Sequence, residues 1–143
     1  MMKCAMPGAA LGLLALLAAS AAHADTTIQV KLTGESHEKM GAELSQSTVP
    51  AGPTEFVVTN AAAKSGHEAV VIKLAHKGET LTVDPATDRV DEKKLKSLGE
   101  VSKLKPGQSG TLKVNLTPGD YMVFCNYKGH YTAGMWAPLT VTP

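Results

Sequence analysis

Six short stretches of alternating apolar and polar residues, set between Gly- and Pro-rich turns, hold this chain to a β fold. They are "TTIQVKL" (26–32), "TEFVVTN" (54–60), "HEAVVIKLAH" (67–76), "GTLKVNL" (110–116), "DYMVFCN" (120–126) and "MWAPLTV" (135–141). Pro50-Ala51-Gly52-Pro53, Ser65-Gly66, Pro106-Gly107 and Pro118-Gly119 punctuate them. A period of two with β-branched enrichment is the signature of strands that bury one face. Frequent turn signals then predict an antiparallel sandwich or small barrel. One segment breaks the pattern: "DEKKLKSL" (91–98), charged on most faces and preceded by "DPATD" (84–88), is expected to form a short helical excursion on the surface. No internal repeat is present.

The first 24 residues have another character. Lys3 precedes an apolar run from Ala9 to Ala22, closed by the small-residue end Ala22-His23-Ala24. This is the form of a cleaved secretory signal peptide, with the cut after Ala24. The run is shorter than the roughly 20 residues a membrane-spanning helix needs. The mature protein is therefore expected to be a soluble, exported domain of 119 residues, 25–143, in the periplasm. That length suits one domain with its own core. Without Lys3 the chain carries 13 basic and 13 acidic residues. Bulk charge thus gives no pointer to nucleic acid or to an anionic membrane surface.

Cys4 leaves with the leader, and Cys125 remains alone. It can form no internal disulfide, although the compartment would favour one. A lone thiol there needs protection. "CNYKGHYTAGM" (125–135) suggests its form, because Cys125 ends one predicted strand, Met135 begins the next, and the nine residues between carry His130. Thiolate, imidazole and thioether make a soft to intermediate donor set suited to copper. A second imidazole would complete a trigonal His₂Cys plane with a weak axial Met. His37, His67 and His76 are the remaining candidates in the mature chain. His67 is preferred, since it follows a small-residue loop and opens a strand, where a ligand at the end of a sandwich must lie. The polar surroundings of His37 and His76 favour solvation, as does the run Lys93, Lys94 and Lys96 beside Asp91 and Glu92.

The C-x4-H-x4-M run, the upstream His at a strand start and the closing "MWAPLTVTP" resemble the cupredoxins, the small blue copper proteins of the azurin, rusticyanin and plastocyanin type. The resemblance implies an eight-stranded Greek-key β-sandwich holding one copper that shuttles between Cu(I) and Cu(II). The implied ligands are His67, Cys125, His130 and Met135. It implies one-electron transfer by a monomer, with redox proteins docking transiently near His130. The docking patch would include Tyr127, Gly129, Tyr131, Ala133 and Gly134, with Ala137 and Pro138 at its rim. One departure is Glu68, where the family often has Asn or Ser that helps hold the Cys sulfur. A carboxylate beside the metal would favour Cu(II), or would itself ligate.

Each residue has a plainer reading. Cys125 could be an inert buried thiol, Met135 core packing, and His67 and His130 ordinary strand-edge and loop histidines. The shared spacing weighs for ligation. Trp136 and Phe124 are expected in the core. Two other functions stay in view. Copper delivery or tolerance would use the same site, but the mature chain has only Met40, Met122 and Met135 and no cluster suited to exposed exchange. A Cys125–His130 nucleophile pair is conceivable, yet no orienting third residue accompanies it, and the chain is not expected to be an enzyme.

Overall fold

The computed structural model describes residues 25–35 and 39–143. The leader and His37 lie outside these residues. Two main sheets form a β-sandwich. In the first, β2 (Gly41–Leu44), β1 (Thr26–Thr33), β4 (Gly52–Asn60) and β9 (Ser109–Leu116) lie side by side. In the second the order is β3 (Thr48–Pro50), β11 (Trp136–Thr142), β10 (Gly119–Phe124), β5 (His67–Lys73) and β8 (Lys96–Leu104). A small ribbon pairs β6 (Val83–Asp84) with β7 (Arg89–Val90). The pairing is mostly antiparallel, but β1 runs parallel to β4 and β3 parallel to β11. All six predicted strands are present, with ends moved by up to three residues.

Alternation explains the core. Ile28, Val30 and Leu32 of β1 meet Phe56 and Val58 of β4 and Tyr121 and Val123 of β10 between the sheets. Strands β5 and β10 differ, being buried along almost their whole length. Their inner residues Ala69, Val71, Tyr121 and Val123 join the main core. Their outer residues Val70, Ile72, Met122 and Phe124 form a second cluster with Leu74, Leu81 and Val90. The segment from Leu74 to Leu95 thus covers the outer face of these two strands. Each large apolar side chain taken from water there contributes roughly 1.5–3 kcal/mol.

Two expectations are corrected. The helix predicted at 91–98 is a single 3-10 turn, Glu92–Lys94, capped by the Asp91 side chain, and the chain then enters β8 at Lys96. β8 is an edge strand whose mostly exposed residues include several charges, so its pattern imitates a solvated helix. Lysines on an edge also discourage pairing with a second chain. Trp136, expected in the core, is 41% exposed. Its place in β11 turns it outward with exposed Pro138, whereas Phe124 is fully buried.

Candidate metal centre

The parity that builds the core also carries the histidine and cysteine inward. His67, Ala69 and Val71 alternate on the inner side of β5, and Tyr121, Val123 and Cys125 do so along β10 and its continuation. His67 and Cys125 are fully buried and His130 is 8% exposed. The candidate ligand atoms of these three residues lie within 4.8 Å of one another. His130 Nδ1 is 3.3 Å from Cys125 Sγ and 3.3 Å from His67 Nδ1. A first-row ion bonded at about 2 Å to nitrogen and about 2.3 Å to sulfur spaces its donors about 3–4 Å apart. The site fits such an ion, and its thiolate and imidazoles suit copper.

Tautomer follows from a second contact. His67 Nε2 lies 3.0 Å from the Gly34 carbonyl oxygen, which can only accept. Nε2 therefore carries the proton, and the lone pair sits on Nδ1, on the side of His130 Nδ1. Burial lowers the pKa of His67 and so favours the neutral ring, against the opposing influence of the Gly34 carbonyl and Glu35. Gly34 has φ of 109°, and a Cβ there would meet Lys39 O and Met40 Cα at 2.8 Å. Only glycine fits this approach.

The loop from 125 to 135 is a run of turns. His130 N–H donates to Tyr127 O, Ala133 N–H to Gly129 O, and Met135 N–H to His130 O at 3.0 Å. Cys125 N–H donates to Met135 O at 3.1 Å, which closes the loop at its neck. The covering segment braces it from outside. Gly129 N–H donates to Asp88 O, and Leu81 N–H to the Tyr131 hydroxyl. Asn126 exchanges two hydrogen bonds with the Val90 backbone and donates to Glu92 Oε1 at 2.7 Å. Met135 is fully buried beside this neck.

Glu68 behaves differently from expectation. Alternation sends its side chain to the opposite face of β5 from His67, where Oε1 accepts from Asn126 N–H at 3.2 Å. It is absent from the three-residue metal-ligating cluster. The sulfur is held by the Glu68 backbone N–H, 3.5 Å from Cys125 Sγ. Burial, with Glu100 and Glu92 adding repulsion, raises the Glu68 carboxyl to about 7. Burial also pushes the Cys125 thiol up to about 11. The lone cysteine is thus shielded even before any metal arrives, since a protonated, inaccessible thiol resists oxidation.

His76 is exposed, as expected, and so are Lys93, Lys94 and Lys96. Of the residues expected at the docking surface, Tyr127, Tyr131 and Ala133 are half-buried and Gly134 and Pro138 exposed, while Gly129 and Ala137 are buried. Sequence reasoning missed Gly34, Glu35, Asn60 and Asn126. Asn60 is fully buried, donates to Ser65 O and Leu104 O, and accepts from Ala62 N–H, holding the loop that leads into His67.

Comparison with known proteins agrees with this geometry. The copper binding proteins of the plastocyanin/azurin family match residues 28–142. A stretch of 48 residues is 42% identical to Auracyanin-B of Chloroflexus aurantiacus; it covers 33% of this chain and only a fifth (20%) of that protein's length. Reduced auracyanin from Roseiflexus castenholzii superposes with a TM-score of 0.59 at 23% identity, over 82% of this chain and 98% of that one. Auracyanin A of C. aurantiacus, a "blue" copper protein, gives 0.59 at 18% identity, over 83% and 100%. Reduced rusticyanin gives 0.59 at 14%, over 82% and 79%. At such identities these structures share the fold. With the family match spanning most of the sequence and a buried His–Cys–His cluster at one end of the sandwich, the chain belongs to the plastocyanin/azurin family of copper binding proteins.

Proposed function

We propose that this protein is an exported one-electron carrier, in which His67 Nδ1, His130 Nδ1 and Cys125 Sγ hold copper and Met135 supplies a weak fourth contact. The observation that carries the reading is the convergence of two imidazole nitrogens and one thiol within 4.8 Å, all buried. Bound copper supplies a one-electron couple between Cu(I) and Cu(II). The chain's own residues supply everything else. The Gly34 carbonyl fixes the His67 tautomer, and the Glu68 N–H steadies the sulfur. The turns of the 125–135 loop, braced by Asp88 and Asn126, resist rearrangement of the donors between oxidation states.

His130, with its 8% exposure, is the ligand through which partners would exchange electrons, beside Tyr127, Ala133 and Gly134. Redox encounters use small, transient interfaces of this kind. A thiol raised to about 11 argues against a nucleophilic role for Cys125, and the reading is of a carrier rather than an enzyme. The leader form of residues 1–24 supports export to the periplasm. Among the described residues no helix is long and apolar enough to cross a membrane.

A redox titration of the copper-loaded protein tests the reading. It should take up and release one electron per chain reversibly, with His67→Ala losing copper and His76→Ala unchanged. Copper transfer to an apo-partner without reversible redox cycling would contradict it.

A further inference from the structure

His67 opens β5, and the backbone of a strand does not fix a side-chain ring. The loop before it, 61–66, contains no regular element. The backbone acceptor that holds the imidazole comes from one dipeptide that lies more than thirty positions upstream. The Gly34 carbonyl accepts from the ring at Nε2. The next side chain, Glu35, grips the loop: Oε1 accepts from Ala63 N–H at 2.6 Å and Lys64 N–H at 3.2 Å. Its Oε2 accepts from Ser65 N–H and Ser65 Oγ, both at 2.9 Å.

These two grips are mechanically linked. The Gly34 carbonyl and the Glu35 Cα belong to one planar peptide unit, whose atoms cannot turn independently. Anchoring the Glu35 carboxylate on three successive backbone N–H groups therefore orients the plane that presents its oxygen to His67. Gly34 allows the tight approach through its positive φ. Carboxylate bonds to backbone N–H groups are charge-assisted, about twice as strong as neutral ones.

We propose that Glu35 is a positioning residue for the copper ligand His67, acting through the Gly34–Glu35 peptide plane on the tautomer and ring angle. The proposal rests on the reading of His67 as a ligand. Outer partners of a metal-bound histidine commonly change metal affinity by about 10–100-fold when removed. A carboxylate that merely staples the surface loop would change melting and nothing at the ring.

The test uses the full mature chain with Glu35→Ala and Glu35→Gln. Glu35→Gln keeps the volume and one acceptor oxygen but sets an amide NH₂ against the Ser65 donors. Cu(II) affinity should fall about 10-fold or more in Glu35→Ala and less in Glu35→Gln, with the visible band displaced in the same order. In the apoprotein, the His67 Nε2–H resonance should be protected from exchange in the wild type and lost in Glu35→Ala. Lowered melting with unchanged affinity, band and Nε2–H protection would overturn the proposal. If Glu35→Ala fails to fold, the same readouts on Glu35→Gln decide. A wild-type chain that forms no visible band would sink the carrier reading, while the apoprotein resonance would still decide the role of Glu35.

Discussion

The backbone N–H of Glu68 points at the sulfur of Cys125, 3.5 Å away, while the Glu68 carboxylate points to the other face of the strand. The group that steadies the thiolate is thus one that every residue except proline possesses. Glu68→Ser should therefore preserve the intensity of the copper–thiolate band and shift it only slightly. A collapse of the band, measured by visible absorption of the loaded variant, would show that the carboxylate reaches the metal after all.

The same carboxylate gives the apoprotein a distinctive pH dependence. Its folded pKa, raised by burial to about 7 from an ordinary 4.5, means that the folded state holds the proton more tightly than the unfolded one. This contribution to stability is full below about pH 4.5 and is lost as pH rises through about 7. Relative to the wild type, Glu68→Gln should gain on the order of 1–2 kcal/mol at pH 8 over its value at pH 4, after allowance for solvent screening. Urea unfolding of both apoproteins across this range measures the difference. A constant difference would contradict the assignment.

Copper loading should release protons. The buried Cys125 thiol, pushed up to about 11, is protonated at neutral pH and must be deprotonated to bind, so about one proton should leave per ion. Titration calorimetry in buffers of different ionisation enthalpy counts it. By the same logic, alkylation of Cys125 should be slow in folded apoprotein and fast only after denaturation.

Met135→Leu conserves volume at a fully buried position and should cost under about 1.5 kcal/mol. On the proposed reading of Met135 as a weak axial contact that tunes the couple, copper should remain bound with a higher reduction potential. Voltammetry checks this, and loss of the metal would mean that Met135 is an essential ligand.

Asn126 ties the ligand loop to the covering segment through both backbone groups of Val90. Asn126→Ala leaves these buried groups unpaired and should destabilise the protein by about 2–4 kcal/mol. Denaturant unfolding with a loss below about 1 kcal/mol would show that water replaces the amide easily.

Much of this was legible in the chain. Period-two alternation located the six longest apolar strands, and the C-x4-H-x4-M loop between two of them pointed to the site. The position of His67 at a strand start gave the third member. Parity would also have placed Glu68 away from the metal, since neighbours on a strand face opposite sides. β8 stayed hidden because its core-facing residues Leu98, Val101 and Leu104 recur every third position among charges, across an irregular register with β5, rather than every second. The exposure of Trp136 depends on how far the 74–95 cover extends across the sheet, which no local pattern encodes. Nor could Gly34 and Glu35 be found in advance, because their partners lie about thirty residues along the chain and meet them only in the folded sandwich.

The most direct measurement is the visible spectrum of reduced apoprotein after one equivalent of Cu(II). The account predicts an intense thiolate-to-copper band that Cys125→Ser abolishes and His67→Ala weakens. A colourless complex, or a band that survives without the sulfur of Cys125, would contradict it.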